Sequence, residues 1–452
     1  MLATLALALA PLSLTLASPS LTLAPLGAGD KPLAPADAKK LRQSFTEALG
    51  DSTKKCDGKA LALAKTLGAK HPWGELADAL RAGPVYDAKS TKPRKVGKEQ
   101  EKFTEVGKTT VGFSFECDGL VLRYAVDVPP GYDAKEPVPL LVDPGHGSGA
   151  DEDDRGKAGF LEYFRNQANE ANLRDWLIAR TEIVEQIGAG GKRGAKPEDQ
   201  VARAFAGFLR DVSSRFAIDP DRVYFAGLSQ TGFWSWYVGR ALSDRVAGIA
   251  PMSSVTWHVN AYLENFAHVP IYVLHGENDP ICRVEQPRAT CEALTKLGLR
   301  VEYDEIDGAA HDFGVFGELD RALLWLAKSP RVAHPARVAK HLLTLETPWC
   351  HWLRVDELEK PGDGRAGSKP VAFVDGAIEG QRVTLSSRGV KRLTLALDPE
   401  LVDLATPLEV IWNGKSVHTG VVAPDFEATL GFALEKTDWR ALYAGRLELR
   451  AP

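Results

Sequence analysis

The sequence predicts an α/β fold in which a mostly parallel, doubly wound sheet lies between an N-terminal helical segment and a C-terminal β-sandwich-like domain. Three observations support this prediction. Short apolar runs alternate with helical stretches from about residue 108, as is typical of an α/β sheet. The residues before this region have helical spacing, and those past residue 331 form closely spaced short strands. The 452 residues allow for about three units of roughly 150 residues each.

The first 29 residues carry no ionisable side chain. Leu and Ala dominate from Leu2 to Ala10, about the length of the apolar part of a signal peptide, although no basic residue precedes this run. Pro11, Pro19 and Pro25 disfavour an uncleaved spanning helix, which needs about 20 apolar residues. We therefore predict a signal peptide at residues 1–28, a secreted or periplasmic protein, and no stable membrane span after its removal.

The next segment has the pattern of a small helical unit. Ala36–Leu49, Lys59–Leu67 and Trp73–Arg81 have helical spacing and are separated by Gly, Pro and Asp. They predict a helical pre-domain at residues 29–84. Residues 85–107 are rich in Lys and Glu, a composition that indicates a solvated, charged linker.

Residues 108–332 are predicted to form the α/β domain. Thr110–Cys117 and Leu120–Val128 are β-rich and separated by Asp118-Gly119, a hairpin signal. Further strands are expected at Leu140–Val142, Ile183–Ile187, Val223–Ala226, Gly248–Pro251, Ile271–Leu274 and Val301–Ile306. Helices are expected between most of them, at Glu198–Phe216, Gly232–Leu242, Glu285–Leu297 and Glu318–Ala327.

Residues 336–452 are predicted to form a β-sandwich-like accessory domain. The expected strands are Lys340–Leu345, His351–Val355, Val371–Val374, Arg382–Ser386, Arg392–Leu397, Leu408–Trp412, Ser416–Val421 and Arg446–Leu449. Asn413-Gly414 lies between two of these strands and is a strong signal for a two-residue hairpin turn.

Charge and cysteine content exclude several classes of partner. The net charge is −5, from 55 Lys and Arg against 60 Asp and Glu, and no dense basic run appears. We therefore expect neither nucleic acid nor an anionic membrane as a partner. Five cysteines are scattered without a CxxC pair, so no structural zinc site is predicted. Cys282 and Cys291 are close enough in sequence to close a short loop, but the odd count leaves the pairing open.

The motif with the most chemical content is Val223–Gly232, VYFAGLSQTG, in which a strand runs directly into Gly-x-Ser and a helix follows. This is the setting of a nucleophile elbow, where a sharp turn exposes the Ser229 hydroxyl and small neighbours let helix and strand pack closely. Thr231 stands where the motif usually has its second Gly. Taken alone, the segment is equally consistent with an ordinary βα turn.

Two later strands end in residues that complete a catalytic set. Strand Ile271–Leu274 leads to Asp279, and strand Val301–Ile306 leads to His311. The carboxyl ends of parallel strands share one rim, and the order Ser229, Asp279, His311 is that of a hydrolase triad. In this hypothesis His311 is the general base and acid, and Asp279 orients its imidazole.

Two acidic neighbours are alternatives or bystanders. Glu277 is a rival for the orienting carboxylate because it lies nearer the end of its strand. Asp312, directly after the candidate base, is expected to be a solvated neighbour. No metal ligand is predicted at this site.

Acyl transfer also needs two backbone N–H groups that stabilise an oxyanion. The first is predicted at Gln230, directly after the nucleophile, and the second at Gly147 or Ser148 on the Gly-rich loop Asp143–Gly149. His146 on the same loop is a candidate pocket residue. A phosphate cradle is the alternative for a Gly-rich loop, but neither GxGxxG nor GxxxxGK[ST] is present.

Five segments carry a family resemblance: Tyr124–Tyr132 (YAVDVPPGY), Pro139–Gly149 (PLLVDPGHGSG), Ile218–Gly232 (IDPDRVYFAGLSQTG), His275–Asp279 and Gly308–His311. Residues from about 108 to 330 thereby resemble an α/β-hydrolase of the esterase branch that includes feruloyl esterases and polyhydroxyalkanoate-depolymerase-like proteins. The resemblance covers about half of the chain and implies a serine carboxylic ester hydrolase that uses no metal or organic cofactor. The sequence departs from the family at Thr231 and at Asp143-Pro144, where apolar residues are commoner.

Aromatic residues near these motifs are candidates for a substrate pocket. Trp234 follows the elbow, where a large aromatic more often packs into the sheet, and Trp257 lies on the rim, where pocket and core are equally expected. His258 is expected to be a polar loop residue. Three candidates for a cap over the site are Tyr163, Phe164 and Trp176. Those expected in the core of the sandwich rather than in sugar stacking are Trp349, Trp352 and Trp412.

We therefore predict an exported serine hydrolase that cleaves a small-molecule or polymeric carboxylic ester, including polysaccharide-linked esters, through an acyl-enzyme. Two alternatives stay open. A prolyl-oligopeptidase-like peptidase uses the same nucleophile, base and oxyanion hole, although the residues before 108 are too few for a β-propeller. A non-catalytic binding protein on a hydrolase scaffold is the other, and the presence of Ser229, Asp279 and His311 argues against it.

Overall fold

The computed structural model describes residues 31–51, 54–87, 90–92, 95–96, 99–100, 110–117, 120–145, 154–185 and 197–452. The predicted signal peptide and much of the predicted linker therefore lie outside the described residues. Within the described ranges, no helix combines the length and the apolar composition that crossing a bilayer requires.

The described residues from 31 onward first form three helices, at the places that the spacing predicts. They are α1 (Pro35–Leu49), α2 (Lys55–Gly68) and α3 (Trp73–Arg81), and two short antiparallel strands, β1 (Lys95–Val96) and β2 (Glu99–Gln100), follow. Leu41, Phe45 and Ala48 of α1 are buried. Their spacing of four and three residues places them on one face of the helix, which packs against the rest of the protein.

The central sheet is mostly parallel, which confirms the predicted fold class. Its strands are β3 (Thr110–Cys117), β4 (Leu120–Asp127), β5 (Val138–Asp143), β6 (Leu177–Glu185), β7 (Ile218–Leu228), β8 (Gly248–Met252), β9 (Ile271–Gly276) and β10 (Val301–Ile306). Their order among the described residues is β10-β9-β8-β7-β5-β6-β4-β3. Only β3–β4 and β4–β6 pair antiparallel there. Strand β6 begins at Leu177, earlier than the predicted Ile183. The prediction missed the first residues of the strand because the polar Arg180 and Thr181 interrupt its apolar run.

Helices cover both faces of this sheet. They are α4 (Asp154–Glu170), α5 (Glu198–Ser213), α6 (Gln230–Ala241), a 3₁₀ turn (Leu263–Phe266), α7 (Glu285–Lys296), α8 (Phe313–Phe316) and α9 (Leu319–Leu326). Phe205 of α5 and Trp236 of α6 lie in the core on one face. Phe164 of α4 and Leu323 of α9 lie in the core on the other. The sheet is therefore doubly wound, and its carboxyl edge is left for loops.

The C-terminal part is a β-sandwich with one added helix. Its elements are β11 (Arg337–Leu342), β12 (Trp349–Cys350), β13 (Leu353–Leu358), β14 (Ala372–Glu379), β15 (Arg382–Arg388), β16 (Val390–Leu397), β17 (Leu408–Trp412), β18 (Lys415–Gly420), α10 (Phe426–Lys436) and β19 (Gly445–Arg450). Two sheets, β11-β14-β15-β17-β18 and β12-β13-β16-β19, share one core. Trp349, Trp352 and Trp412 are buried in it, as expected.

The predicted hairpin turn between β17 and β18 is confirmed. Asn413 and Gly414 have φ of 49° and 78°. Both values are positive, as the tight turn of a two-residue hairpin requires, and Asn and Gly tolerate them best.

Helix α10 was not predicted, and it joins the N-terminal helices to the sandwich. The carboxylate of Asp425 accepts the Ala428 N–H at 3.1 Å and caps its first turn. Its Leu430 and Leu434 share a core with Leu41 and Phe45 of α1. The helical segment therefore completes its core with a helix that lies far along the chain.

The four cysteines whose side chains the structure describes are free thiols. Cys282 and Cys291 are buried and not bonded to each other, and Cys56 and Cys350 are also free. The short loop that Cys282 and Cys291 were candidates to close is therefore not closed by a disulfide.

Candidate active site

Ser229 lies at the junction of β7 and α6, at the carboxyl edge of the central sheet. Its backbone has φ 58° and ψ −114°, a conformation that costs a non-glycine residue roughly 1–3 kcal/mol. Its N–H donates to the carbonyl of Met252 on β8 at 2.8 Å, and its carbonyl accepts the Phe233 N–H at 2.9 Å. The turn is therefore held between the neighbouring strand and the first turn of the helix, in the geometry of a nucleophile elbow.

The glycines beside Ser229 are explained by close packing. A Cβ at Gly227 would lie 2.2 Å from Thr231 Oγ1, and a Cβ at Gly232 would lie 2.8 Å from the carbonyl of Met252. Thr231 donates its hydroxyl to the Leu228 carbonyl at 3.2 Å. The departure from the family pattern is accommodated because Gly227 leaves room for the Thr231 side chain and Gly232 provides the close approach to β8.

His311 and Asp279 are brought together by the loops that follow β10 and β9. His311 Nδ1 lies 2.8 Å from Asp279 Oδ2, and the carboxylate is fully buried while 14% of the imidazole is exposed. Both loops leave the same edge of the sheet as Ser229, because β7, β9 and β10 run parallel. With Nδ1 engaged by the carboxylate, Nε2 is the ring nitrogen left for proton transfer.

Hydrogen bonds keep Asp279 in its charged form. Asp279 Oδ1 accepts the N–H of Ile281 at 2.9 Å and the N–H of Cys282 at 2.8 Å. Burial by itself raises the pKa of Asp279, but the hydrogen bonds from His311, Cys282 and Ile281 outweigh it and leave the pKa below its ordinary value. The carboxylate is therefore ionised at neutral pH.

The structure adds His275, which the sequence did not single out. Its ring is fully buried, and Nε2 lies 2.6 Å from the Cys282 carbonyl and 3.5 Å from Asp279 Oδ2. Burial lowers the pKa of His275, so the neutral ring donates Nε2–H to the carbonyl. It anchors the turn that presents Asp279. In the sequence it lies at the start of the resemblance segment His275–Asp279, where it was given no role.

The two acidic neighbours interact with backbone rather than with the imidazole. Glu277 Oε2 accepts the N–H of Gly308 at 3.1 Å, and Asp312 Oδ1 accepts the N–H of Gly314 at 2.8 Å. Both side chains are exposed. The carboxylate that contacts His311 is thus that of Asp279 and not that of the rival Glu277.

Of the predicted oxyanion groups, the structure describes Gln230. It is the first residue of α6, and the N–H groups of a first helical turn have no acceptor within the helix. A backbone donor therefore lies directly after the nucleophile. His146, Gly147 and Ser148 lie outside the described residues.

The surroundings of Asp143, where the Gly-rich loop begins, explain why a polar residue occupies this position. This residue is buried at the end of β5 and forms an ion pair with Arg180 of the neighbouring β6. The Arg180 guanidinium also lies 4.0 Å from the centroid of the Phe160 ring. A Cβ at Gly145 would lie 2.2 Å from the carbonyl of Thr181. The polar residue is therefore tolerated because its charge is paired, and the loop leaves β5 closely packed against β6.

The candidate pocket aromatics have different surroundings. Trp257 lies on the rim with 52% of its surface exposed, and its ring is 6.3 Å from that of Phe233. Trp234 is buried in the core, 6.1 Å from the ring of Phe205. His258, expected to be a polar loop residue, is instead buried with its ring 4.0 Å from Phe233. The side chain of Trp257 is therefore the one in this group that is open to a ligand.

The aromatics considered for a cap do not cover the site. Phe164 and Trp176 are buried in the core, where Trp176 stacks on Tyr224 at 4.9 Å. Tyr163 packs edge-on against Phe316 at 4.8 Å. Phe164 lies on the face of helix α4 that packs into the core, whereas Trp176 follows the helix and packs in the same core.

A loop of the C-terminal domain reaches the same rim, which nothing in the sequence indicated. Ala366 N–H donates to Glu198 Oε2 at 3.0 Å, and the Ser368 carbonyl accepts the Tyr262 hydroxyl at 2.8 Å. A Cβ at Gly367 would lie 3.1 Å from the Trp257 ring. This loop therefore forms a wall beside Trp257.

The site also contains a group of metal-ligating residue types. The donor atoms of Asp279, Cys282 and His311 lie within 4.8 Å of one another. Burial raises the pKa of the Cys282 thiol to about 11, so it is protonated at neutral pH, while Asp279 and His311 bond to each other. These states suit proton transfer better than metal binding, since a metal needs the thiolate.

Comparison with known proteins adds a family match. Residues 197–316 match the family model described as phospholipase/carboxylesterase. The chain is 29% identical over 117 residues to acyl-protein thioesterase 1 of Gibberella zeae, covering 25% of this chain and 49% of that protein. It thus spans about half the length of that relative. The family match includes the positions of Ser229, Asp279 and His311.

Solved structures of similar fold include esterases. A thermostable esterase is 21% identical, with a TM-score of 0.41, over 49% of this chain and 64% of that chain. Esterase 2 of Thermogutta terrifontis, phosphorylated by paraoxon, is 15% identical, with a TM-score of 0.36, over 50% of this chain and 94% of that chain.

Proposed function

We propose that the chain is a serine hydrolase that cleaves carboxylic esters with a Ser229–His311–Asp279 triad. The observation that carries this proposal is the placement of a strained serine at a strand–helix junction, on the same rim as a buried histidine–carboxylate hydrogen bond of 2.8 Å. The family match to phospholipases and carboxylesterases supports the ester as the bond that is cleaved.

Acylation follows from the protonation states. Ser229 Oγ attacks the ester carbonyl carbon while His311 Nε2 takes the hydroxyl proton. The carboxylate of Asp279 holds the Nδ1–H tautomer and stabilises the imidazolium that forms. His311 then gives its proton to the leaving alcohol oxygen, and the acyl group stays on Ser229.

Deacylation repeats these steps with water. His311 takes a proton from the water that attacks the acyl-enzyme, and the proton returns to Ser229 Oγ as the acid leaves. In both steps a negative charge develops on the carbonyl oxygen. The Gln230 N–H stabilises it together with a second N–H from Gly147 or Ser148, and losing one such donor typically costs about 10²–10³ in rate.

The nucleophile is tested by covalent labelling. A fluorophosphonate probe should label the wild-type protein once, and Ser229→Ala should abolish both labelling and hydrolysis of p-nitrophenyl butyrate. Ser253→Ala, at a buried serine on the neighbouring strand end with φ 41°, is the matched control and should still be labelled. Undiminished labelling of Ser229→Ala would refute the assignment.

A thioester is the second candidate bond, because the curated relative is an acyl-protein thioesterase. Hydrolysis of S-butyrylthiocholine and p-nitrophenyl butyrate should be compared on the same preparation, with an aminoacyl-anilide as the peptide-like substrate. We expect the oxygen ester to have the highest kcat/KM. Turnover of the anilide alone would support the peptidase alternative instead.

Exposed apolar side chains on the rim of the candidate site indicate the substrate class. Trp257 and Ile281 expose 52% and 68% of their surface beside the candidate triad, which favours an ester with an apolar or aromatic group. The charge-free N-terminal residues support export of the protein. Outside the cytoplasm its substrates would be small-molecule or polymeric esters. A panel of feruloylated sugars, acetylated glycans and hydroxyalkanoate oligomers tests this class, and a preference for the acetylated glycans alone would contradict it.

A further inference from the structure

A second cleft lies on the opposite side of the catalytic domain from the candidate triad. It has a volume of about 470 Å³ and lies between the helical segment, the amino edge of the central sheet and the C-terminal domain. Pro137 and Ala217, which line it, directly precede β5 and β7. Ser229 follows the carboxyl end of β7, so the two sites lie at opposite edges of the sheet. The volume is within the range of small-molecule sites.

The charge of this cleft is positive. Arg42, Arg81, Lys135 and Arg440 line it, and no Asp or Glu is among the described residues that do so. Arg81 Nη1 lies 3.0 Å from Asp78, but this carboxylate is 76% exposed and the pair is weakly held in water. Four positively charged side chains around one cavity favour the binding of an anion over that of a neutral solute.

A buried donor faces the same cavity. Trp439 is 2% exposed and lines the cleft. Gly83 has φ 75°, and a Cβ on it would lie 2.8 Å from Trp439 Nε1. The glycine therefore keeps the space beside the indole N–H open. The indole N–H is a hydrogen-bond donor, so an acceptor bound in the cleft can pair with it.

A guanidinium is held beside this donor. Arg42 Nε donates to the carbonyl of Gly83 at 2.7 Å, and Nη2 donates to the carbonyls of Ala82 and Pro84 at 3.0 and 3.3 Å. Three backbone contacts orient the group before any ligand arrives. Arg42 and Trp439 thus both border Gly83, and this convergence is the feature that distinguishes a binding site from scattered surface cations.

The remaining walls are apolar. Pro84, Val85, Pro137 and Ile218 contribute carbon surface to the cavity. We propose that the cleft binds a small organic anion, in which a carboxylate, sulfate or phosphate group accepts from Trp439 and Arg42 and an apolar body contacts these walls. The proposal does not depend on the proposed hydrolase function, because none of its residues lies on the catalytic rim.

The experiment uses 8-anilinonaphthalene-1-sulfonate, a fluorescent aromatic sulfonate, with the full chain. Fluorescence titration should show one saturable site. Trp439→Phe, which keeps an aromatic ring but removes the N–H, and Arg440→Gln should each weaken binding at least fivefold. Arg337→Gln is the matched control, since that side chain is 75% exposed and lies elsewhere, on β11, and it should leave binding unchanged.

Two further measurements keep the test decisive. Uncharged N-phenyl-1-naphthylamine should bind much more weakly than the sulfonate and should not respond to Arg440→Gln. Should Trp439→Phe fail to fold, Lys135→Gln replaces it, because this side chain is exposed. Equal sulfonate affinity in wild type, Arg440→Gln and Lys135→Gln would overturn the proposal, as would equal affinity for the uncharged probe.

Discussion

The carboxylate of Asp279 illustrates how a few hydrogen bonds determine the chemistry of one residue. Both of its oxygens are occupied, Oδ1 by two backbone N–H groups and Oδ2 by the His311 imidazole. These bonds lower its pKa although burial opposes them. The carboxylate is therefore charged at neutral pH, and hydrogen bonds within the protein fix its orientation.

Replacing Asp279 should separate orientation from folding. Asp279→Asn keeps the shape of the side chain but removes the charge and favours the wrong imidazole tautomer. If the proposed triad operates, kcat for p-nitrophenyl butyrate should fall about 10⁴-fold, the loss typical of serine hydrolase triads. Glu277→Gln is the matched control, because Glu277 contacts the Gly308 N–H and not His311. Similar losses in both variants would contradict the assignment. Melting temperatures of the two proteins report on their folding.

At the scale of elements, the loops after β9 and β10 are fastened to each other. Glu277 N–H donates to the Ile306 carbonyl at 3.1 Å, and Asn278 N–H donates to the Ala309 carbonyl at 2.9 Å. A Cβ at Gly276 would lie 2.3 Å from the Ala310 carbonyl. The missing side chain at Gly276 therefore allows the loop of Asp279 to approach the loop of His311.

Adding a methyl group at Gly276 should displace His311, the proposed general base. Gly276→Ala forces the backbone at Ala310 away, and a shift of about 1 Å in a catalytic group can cost about 10²-fold in rate. We expect kcat to fall by that order while fluorophosphonate labelling slows in parallel. Gly74→Ala, in helix α3 with open space around the position, is the matched control and should leave the rate unchanged. An unaltered rate in Gly276→Ala would mean that the loops adjust.

The elements that were predictable are those whose signals are local. The nucleophile elbow, the parallel strands and the Asn413-Gly414 turn follow from short patterns, and the resemblance to α/β-hydrolases is confirmed by the family match. Helix α10 was not predicted because it is stabilised by packing against α1 and α2, which are far away in sequence. The loop beside Trp257 was missed for the same reason, since no local pattern encodes a contact between domains.

At the scale of the whole molecule, buried charges join the catalytic and C-terminal domains. Lys436 of α10 forms a buried ion pair with Asp244, and Arg331 Nη1 lies 2.7 Å from Asp438. Removing one partner of such a pair typically costs about 3–5 kcal/mol, since the other charge stays buried. The two domains are therefore expected to unfold together rather than independently.

Buried histidines in both domains make the stability depend on pH. Burial lowers the pKa of His351 well below its ordinary value, and burial also lowers the pKa values of His258, His275 and His341. For each of these groups the unfolded chain binds a proton first, so stability is lost as pH falls below about 6.5. The contribution of His334 to stability has the opposite pH dependence. Burial alone would lower its pKa, but the hydrogen bond to Asp398 raises it, so its contribution is present in acid and is lost as pH rises.

Replacing His351 should therefore flatten the acid side of the stability profile. His351 has φ 52°, and Asn tolerates this conformation better than most residues, so His351→Asn removes the titration with little backbone strain. One proton bound by the unfolded chain and not by the folded chain costs about 1.4 kcal/mol per pH unit below 6.5. The loss of unfolding free energy between pH 7 and 5 should therefore shrink by roughly 1–2 kcal/mol in His351→Asn, and its melting temperature should fall less than that of the wild type. His334→Asn is the counterpart of opposite sign and should steepen the fall. Parallel profiles for wild type and His351→Asn, measured by calorimetry at several pH values, would show that His351 is not a source of the acid sensitivity.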